Sequence, residues 1–299
     1  GPESPKAWTT CKASIAPESI AYLKANAASF ELYGENPFLQ VASLKPEHNA
    51  TVDKLDFGLS AGNNHTLFDQ EANPNGRLQS PAWQALNLLT YQCFSPGGLI
   101  GRNTWGDKDT GKNSNHSPCV ESSPLHTVIR GSNLLETLFL NLIPKRLIPA
   151  ENWGKPIWEL DLPTPDAPDI NTAQTSYLGR LVPQSRAILL EEGNSKFTLA
   201  NGIQYPRFPE YREASVTVYV RESGKKLEHA YLSLNLSKHP WRELASVLAL
   251  SSEQDEHIGS PVALKNLRIA GRADIEIVDL WTGGLAADKG KILDTAEWT

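Results

Sequence analysis

Three side chains in the middle of the sequence are of the types that enzymes use for nucleophilic catalysis. Cys93 or Ser95 could act as a nucleophile, with His126 as a base for the thiol. Neither nucleophile lies in a catalytic motif, since Ser95-Pro-Gly-Gly98 lacks the G-x-S-x-G elbow of a hydrolase. Cysteine and histidine are also common in protein cores. A hydrolase that uses Cys93 or Ser95 is therefore an alternative without support from a local motif.

The histidines, cysteines and glycines do not have the spacing of a metal or nucleotide site. No two of the seven histidines are four residues apart, and the three cysteines lack C-x-x-C spacing. The glycines at 97, 98 and 101 form neither a Walker motif nor a dinucleotide-binding fingerprint. We therefore expect no metal site and no cofactor.

The eight tryptophans give a second alternative, because aromatic rings can line a groove that binds a glycan. Trp83 and Trp241, however, lie on apolar faces of expected helices, which is typical of core residues. A tryptophan-lined glycan-binding module therefore stands as the alternative that is not an enzyme.

The glycines at 97, 98 and 101 lie in a long polar segment between two expected helices. Ser80-Pro81 is typical of an N-cap followed by a first helical turn, and this helix should end near Ser95. Its expected buried face consists of Trp83, Leu86, Leu89 and Cys93. A polar loop held between two helices is an arrangement typical of a binding loop.

The second helix is predicted by a capping box, Asn133-x-x-Glu136, and by Pro144, which should end it. Because the residues between them are almost all apolar, we expect this helix to lie in the core. A further packing helix is expected over 17–30, with Pro17 in its first turn and Ile20, Leu23 and Phe30 on one face.

From residue 187 onward, apolar residues recur with the period of two that predicts strands. A turn near Gly224 should join two of these strands as a hairpin, whereas Gly283-Gly284 should precede a final helix. The expected strands are 187–191, 196–200, 214–220, 230–236 and 274–280, with a short helix over 240–250. The sequence thus predicts one α+β domain over 1–299, helical over about 1–150 and rich in antiparallel β-structure over about 151–299.

The charge balance argues against a protein that binds DNA by itself. The formal net charge is −6, which provides no overall attraction to phosphate. Residues 101–150 carry six basic and four acidic side chains, a weak local excess. Because no apolar run is long enough to span a membrane and no signal peptide is recognisable, we expect a cytoplasmic protein without membrane contact.

Several separate segments resemble, in the same order, the CasA family, the large subunits of type I-E CRISPR Cascade surveillance complexes. Two of them flank the polar loop: Leu88-Leu-Thr-Tyr-Gln-Cys-Phe-Ser-Pro-Gly-Gly-Leu-Ile-Gly101 and Leu125-His-Thr-Val-Ile-Arg-Gly131. Others are Pro37-Phe-Leu-Gln40, Trp153-Gly-Lys-Pro-Ile-Trp158, Tyr177-Leu-Gly-Arg-Leu181, Asn201-Gly-Ile-Gln-Tyr-Pro206 and Gly283-Gly-Leu-Ala-Ala-Asp-Lys289.

The resemblance implies the mixed α/β N-terminal domain of this family, without its C-terminal four-helix bundle. It also implies that both ends of the family's chain are absent. The implied role is not enzymatic: the family recognises the protospacer-adjacent motif in target duplex DNA through the minor groove and helps to start strand separation. The implied partners are double-stranded target DNA, guide RNA, the other Cascade subunits and a separate helicase-nuclease effector.

The resemblance also implies site residues. A glycine loop that contacts DNA would consist of Gly97, Gly98, Leu99, Ile100 and Gly101, and glycine there allows the backbone to approach the minor groove closely. Lys196 would reach the motif from a hairpin strand, and Asp288 and Lys289 would form a wedge under the first base pair. A loop that contacts a neighbouring subunit and the guide RNA would contain Phe68, Asp69, Gln70 and Asn73.

Overall fold

The computed structural model describes residues 4–59, 61, 73–206, 213–224, 226–237, 247–248, 258–264, 279–288 and 290–298. The described residues combine helices with small antiparallel sheets, so the predicted α+β class is confirmed. The α-helices are α1 (Pro5–Ala25), α2 (Pro81–Phe94), α3 (Leu134–Leu140), α4 (Asp169–Thr175) and α5 (Tyr177–Leu181). Short 3-10 turns cover Ala27–Phe30, Val52–Leu55, Lys145–Leu147, Ala150–Asn152 and Ile157–Glu159.

Twelve strands are described, and all of their pairings are antiparallel. They are β1 (Ala50–Thr51), β2 (Gly98–Leu99), β3 (Thr104–Trp105), β4 (Lys108–Asp109), β5 (Asn113–Ser114), β6 (His126–Arg130), β7 (Arg186–Leu189), β8 (Lys196–Asn201), β9 (Val218–Ser223), β10 (Lys226–Tyr231), β11 (Asp279–Asp288) and β12 (Lys291–Trp298).

Two three-stranded sheets join early and late parts of the chain. One has the order β1-β8-β7, and the other has the order β12-β11-β6. Three two-stranded ribbons, β2–β5, β3–β4 and β9–β10, complete the set. The largest hydrophobic cluster lies where α2 packs against the first sheet, and its fully buried members include Leu55, Leu88, Trp105, Ile188 and Phe197.

The first helix differs from its prediction. It begins at Pro5, because Ser4 is the N-cap and its Oγ accepts a hydrogen bond from Ala7 N at 3.2 Å. The prediction that Pro17 opens a helix is therefore wrong, since Pro17 lies inside α1. The predicted buried face is wrong too, because Ile20 is 53% exposed and Leu23 is also exposed.

The start of α2 is confirmed, but only part of its predicted buried face is, since Trp83 and Leu89 are half-buried against the core. Ser80 Oγ accepts a hydrogen bond from Trp83 N at 3.3 Å, and Pro81 occupies the first turn. The buried residues are Gln84, Leu88, Tyr91 and Gln92, whereas the predicted Leu86 is 65% exposed. The two glutamines can be buried because their amides form hydrogen bonds within the protein.

The cap of α3 is confirmed, whereas its core position is wrong. Asn133 Oδ1 accepts a hydrogen bond from Glu136 N at 3.0 Å. The helix nevertheless ends at Leu140, before Pro144, because the Asn141 side chain hydrogen-bonds to both N and O of Ile129 in β6. Only the end of α3 is buried, and Leu134 is 74% exposed.

The strands predicted over 187–191 and 196–200 are confirmed as β7 and β8, and the hairpin around Gly224 is formed by β9 and β10. These two strands lie closer to Gly224 than the predicted 214–220 and 230–236, and most of the strand predicted over 274–280 lies outside the described residues. The predicted final helix is wrong. Gly283 and Gly284 lie within β11, and the chain then turns back through β12. Gly283 is suited to this strand because a side chain there would collide with the ring of Trp281. The helix predicted over 240–250 lies almost entirely outside the described residues.

Candidate nucleic-acid interface

The glycine loop, Gly97–Gly101, is the first part of a longer segment, 96–116, whose two ends meet in a narrow neck. Ser95 and Ser117 face each other across this neck, with their hydroxyl oxygens 2.7 Å apart, and Ser117 N donates to Ser95 O at 3.0 Å. Just beyond them, Gly98 and Leu99 pair with Ser114 and Asn113 as strands β2 and β5. The neck therefore fixes where the loop begins and ends.

The glycines of this loop serve different purposes. Gly97 is buried, and a side chain there would come within 2.7 Å of Ser114 O. Gly98 is exposed and has φ +124°, a conformation that strongly favours glycine. Leu99 is 87% exposed, which is unusual for a large apolar side chain. Ile100 is half-buried, while Gly101 is exposed and adjoins the Asn49 amide. The loop therefore presents bare backbone and one apolar side chain to solvent.

The tip of the β11–β12 hairpin lies against this loop. A methyl group built on Gly98 would come within 3.2 Å of Gly290 Cα, and one built on Gly290 would come within 3.1 Å of Gly97 O. Asp288 is exposed at the end of β11, where it pairs with Lys291. Lys289, the other residue of the expected wedge, lies outside the described residues. The structure thus brings the glycine loop and Asp288 to one surface.

Lys196 lies at the start of β8 and is half-buried. It pairs with Thr51 of β1, and its backbone N donates to Asn194 Oδ1 at 2.9 Å. Its neighbour Ser195 donates its hydroxyl to Asn75 O at 2.7 Å. Lys196 is therefore next to the tight turn that begins at Asn73.

The expected subunit-contacting loop is only partly described. Asn73 is exposed, and its amide donates to Gly76 O at 3.0 Å, closing a turn. Phe68, Asp69 and Gln70 lie outside the described residues. The structure thus brings Asn73 and Lys196 together, at the opposite end of β8 from the glycine loop.

Two asparagines next to the glycine loop, Asn49 and Asn103, hydrogen-bond to the strand that carries Lys196. Asn49 hydrogen-bonds to both N and O of Leu199 at 2.7 and 2.8 Å, and Asn103 donates to the same carbonyl at 3.0 Å. Leu199 is three residues from Lys196, which corresponds to roughly 10 Å along a strand. Sequence reasoning missed both asparagines, because asparagine is a common loop residue.

Basic side chains flank the exposed part of the loop. Arg102 follows Gly101 directly, and Lys112 O accepts a hydrogen bond from Ile100 N at 2.8 Å. Both side chains are exposed. Cations beside an accessible backbone suit contact with the phosphates of a nucleic acid.

Arg186, at the start of β7, was also missed by sequence reasoning. It is 2% exposed, and Nη2 donates to Pro96 O at 2.6 Å and to Asn115 O at 3.2 Å. These two carbonyls lie on opposite sides of the neck of the glycine loop. The sequence feature that could have indicated a buried role for Arg186 is its position as a charged residue directly before an apolar strand.

The residues of the hydrolase alternative are not arranged for catalysis. Ser95 is fully buried, and its hydroxyl partner is Ser117. His126 Nε2 lies 2.7 Å from Cys119 O and Nδ1 lies 2.8 Å from Ser215 Oγ. Because a carbonyl can only accept, Nε2 carries the proton and Nδ1 accepts from the hydroxyl. Both ring nitrogens are therefore engaged, and His126 is not placed to deprotonate Cys93.

Cys119, a cysteine that was not a candidate nucleophile, neighbours Cys93. A hydrogen bond with Cys93 and burial raise the pKa of Cys119 well above its ordinary value. A nucleophilic cysteine needs the opposite shift, because the thiolate is the reactive form. Among the described residues, no group of three or more His, Cys, Asp and Glu side chains is placed to hold a metal ion.

Of the described tryptophans, Trp8 and Trp105 are buried and the others are half-buried. Trp105 is fully buried and donates its indole N–H to Leu162 O at 3.0 Å. Trp158 packs against Phe30 and Phe38, with ring centroids 5.6 and 5.9 Å apart. Trp241 lies outside the described residues. The glycan-binding alternative therefore gains no support from these rings.

In the described part of the chain, no helix is both long and apolar enough to cross a membrane.

Comparison with known proteins identifies the family. A family model described as CRISPR-associated protein Cse1 matches residues 1–299. A curated relative, CRISPR-associated protein CasA/Cse1 of Thermus thermophilus, is 30% identical over 279 residues, which is 89% of this chain and 51% of the relative. The chain thus spans about half the length of that relative.

Solved structures share the fold. The crystal structure of Thermobifida fusca Cse1 has a TM-score of 0.74 at 20% identity, and the match covers 99% of this chain and 61% of that one. A chain of a structure described as a CRISPR RNA-guided surveillance complex has a TM-score of 0.74 at 18% identity, covering 100% and 63%. The family expected from the sequence segments is confirmed: the chain belongs to the CRISPR-associated protein Cse1 family, also called CasA.

Proposed function

We propose that this chain is the DNA-recognition part of a type I-E CRISPR surveillance complex. In this proposal it reads the protospacer-adjacent motif through the minor groove of target duplex DNA and helps to start strand separation. Its role is not enzymatic. Its partners are the target duplex, guide RNA, the other Cascade subunits and a separate helicase-nuclease effector, and the complex works in the cytoplasm without contacting a membrane.

The observation that carries the proposal is the contact between the glycine loop and the β11–β12 hairpin tip. Exposed backbone at Gly98, the apolar side chain of Leu99 and the Asp288 end of the hairpin form one surface. Backbone without a side chain suits approach to the floor of a narrow groove, and an apolar residue suits insertion at a base step. Family membership supports the same function, since one relative with this fold belongs to an RNA-guided surveillance complex.

The acidic net charge of the chain is compatible with different roles for the components of the complex. Minor-groove contacts distinguish A·T from G·C pairs more than they read a full sequence. In this proposal, guide RNA supplies the sequence specificity by base pairing, while other subunits supply most of the attraction to phosphate. The chain only has to bias where unwinding begins.

The test uses the assembled complex, with Gly98→Asp and Lys196→Ala combined. An aspartate at Gly98 brings a negative charge and a strained backbone to the loop, and alanine removes the cation of β8. We expect affinity for a guide-matched duplex with a permissive flanking motif to fall by at least roughly tenfold. Affinity is measured by titration of labelled duplex.

The matched control combines Gly224→Asp with Lys226→Ala. Gly224 also has positive φ and lies at a hairpin tip, and Lys226 begins the next strand. This control changes the charge by the same amount and should bind like the unmodified complex. Equal affinity of both double variants would contradict the proposed site.

A further inference from the structure

Arg186 is a buried cation whose partners bridge the neck of the glycine loop. Its Nη2 reaches Pro96 O on the side where the chain enters the loop and Asn115 O on the side where the chain leaves it. Nη1 donates to Ser185 O at 2.7 Å. One guanidinium therefore hydrogen-bonds to both sides of the neck, at two residues that are nineteen positions apart in sequence.

A second buried residue fixes the position of Arg186 itself. Gln92 of α2 is fully buried; its Nε2 donates to Arg186 O and its Oε1 accepts from Arg186 N, both at 2.9 Å. Ser185 Oγ donates to Gln92 O at 2.8 Å. Tyr91, one residue before Gln92, is buried, and its phenol interacts electrostatically with the guanidinium. The support beneath the loop thus joins α2 to β7.

Burial of this cation is costly, which argues that it has a specific role. Burial lowers the pKa of Arg186, and Tyr91 opposes that effect. None of the ion pairs among the described residues includes Arg186. A buried charge is unfavourable unless its hydrogen bonds are well satisfied, and the planar fork of arginine can satisfy several carbonyls at once. Lysine cannot reproduce that geometry.

We propose that Arg186 is a positioning residue: by bridging Pro96 and Asn115, it holds Gly97–Gly101 in the conformation that engages DNA. This inference rests on the function proposed above. It adds that the shape of the reading loop is set from the protein interior, by a residue that does not contact DNA.

The experiment compares Arg186→Lys and Arg186→Met with a matched control, Arg180→Met. Arg180 is also buried, but it donates to Gln174 O and packs over the Tyr205 ring, and neither Pro96 O nor Asn115 O is among its acceptors. Each assembled complex is tested with a pool of duplexes that share one guide-matched target and differ only in the flanking base pairs. A target whose strands are already separated at the flank serves as a second substrate.

We expect both Arg186 variants to lose roughly tenfold in the ratio of affinities for permissive and non-permissive flanks. Affinity for the pre-opened target should stay unchanged, because that substrate does not need the loop. Arg180→Met should keep the ratio. Tyr91→Phe, a milder change beside the guanidinium, should lower the ratio several-fold and decides the matter if the Arg186 variants do not assemble.

Unchanged discrimination in the Arg186 variants or, where these do not assemble, in Tyr91→Phe would overturn the inference. An equal loss in Arg180→Met would overturn it as well, because the effect would then be a general loss of stability. If the unmodified complex itself does not distinguish the flanks, the proposed function fails instead. The two failures are therefore distinguishable.

Discussion

His126 is a buried histidine whose two ring nitrogens are both hydrogen-bonded. Burial lowers its pKa from the ordinary value of 6.5, an effect larger than the opposing effects of Cys119 O and the Glu213 carboxylate. The native protein therefore holds a neutral imidazole between β6 and its neighbours. In the unfolded chain, His126 is exposed to water and has the ordinary histidine pKa of 6.5.

This difference makes stability depend on pH. Above the ordinary pKa of 6.5 both states are neutral at this site. As pH falls from about 7 to about 5, the unfolded chain takes up a proton that the native state refuses, so stability falls by up to about 1.4 kcal/mol per pH unit. We expect His126→Gln to flatten the pH dependence of the unfolding free energy, measured by denaturant titration.

The matched control is His48→Gln, because His48 is partly exposed beside Glu191. It should retain the steeper pH dependence of the unmodified protein. If both variants follow the same pH profile as the unmodified protein, His126 is protonated as readily in the native state as in the unfolded chain.

Sequence reasoning misplaced several apolar residues and missed the buried polar ones. It assigned Leu86 to the core and gave no role to Gln84, Gln92 or Arg186, all of which are buried. The spacing of apolar residues indicates which side chains gain free energy by leaving water. The burial of an amide or guanidinium depends instead on hydrogen-bond partners that come from distant segments. Those partners are not visible in the local sequence.

The contact between the glycine loop and the hairpin tip links two elements that are nearly two hundred residues apart in sequence. Gly290 can lie against Gly97 and Gly98 because neither Gly98 nor Gly290 has a side chain to separate the backbones. The hairpin is long, with β11 and β12 paired from Thr282 to Asp288 on one side. Its base is held by the pairing of β11 with β6 from Asp279 to Gly283, whereas its tip lies against the loop.

Gly290→Val tests the contact. The new side chain would meet the fixed carbonyl of Gly97 at 3.1 Å and force the tip away from the loop. Overpacking of this kind costs about 1 kcal/mol or more, so we expect opening of the first target base pairs to fall by roughly fivefold. Opening is measured with a fluorescent base analogue at the flank.

Gly58→Val is the control for this change. A side chain at Gly58 would also have a neighbour at 3.1 Å, but that neighbour is the carboxylate of Asp56, which can rotate away. Target opening should therefore be normal in Gly58→Val. Normal opening in Gly290→Val would mean that the tip and the loop act independently.

Helix starts were easier to predict than the elements that follow them. The caps at Ser80 and Asn133 are local, since a side chain satisfies a backbone N–H three residues later. The end of α3 depends on Asn141 reaching Ile129 in β6, and the final helix was predicted where β11 and β12 pair instead. Strand pairing between distant segments decides such cases, and local propensity does not record it.

Both three-stranded sheets join the first half of the chain to the second. Strand β1 pairs with β8, and β6 pairs with β11, so residues 1–150 contribute a strand to each sheet. The glycine loop extends from the first half and meets the hairpin tip of the second. The order of the family-like segments predicted the family, but it did not predict this contact.

The net charge of −6 bears on how the chain would engage DNA. An acidic protein gains little from phosphate, and the basic residues near the loop, Arg102 and Lys112, are few. In the proposed function, recognition therefore depends on groove contacts within an assembly. The central part of the proposed function is then that the loop enters the minor groove.

Base analogues in the flanking motif test that claim directly. Inosine in place of guanine removes the amino group from the minor groove only, whereas 7-deazaguanine removes an acceptor from the major groove only. With the assembled complex, we expect inosine to change duplex affinity by roughly tenfold and 7-deazaguanine to change it by less than about twofold. The reverse pattern, with sensitivity to 7-deazaguanine and tolerance of inosine, would contradict minor-groove recognition by this chain.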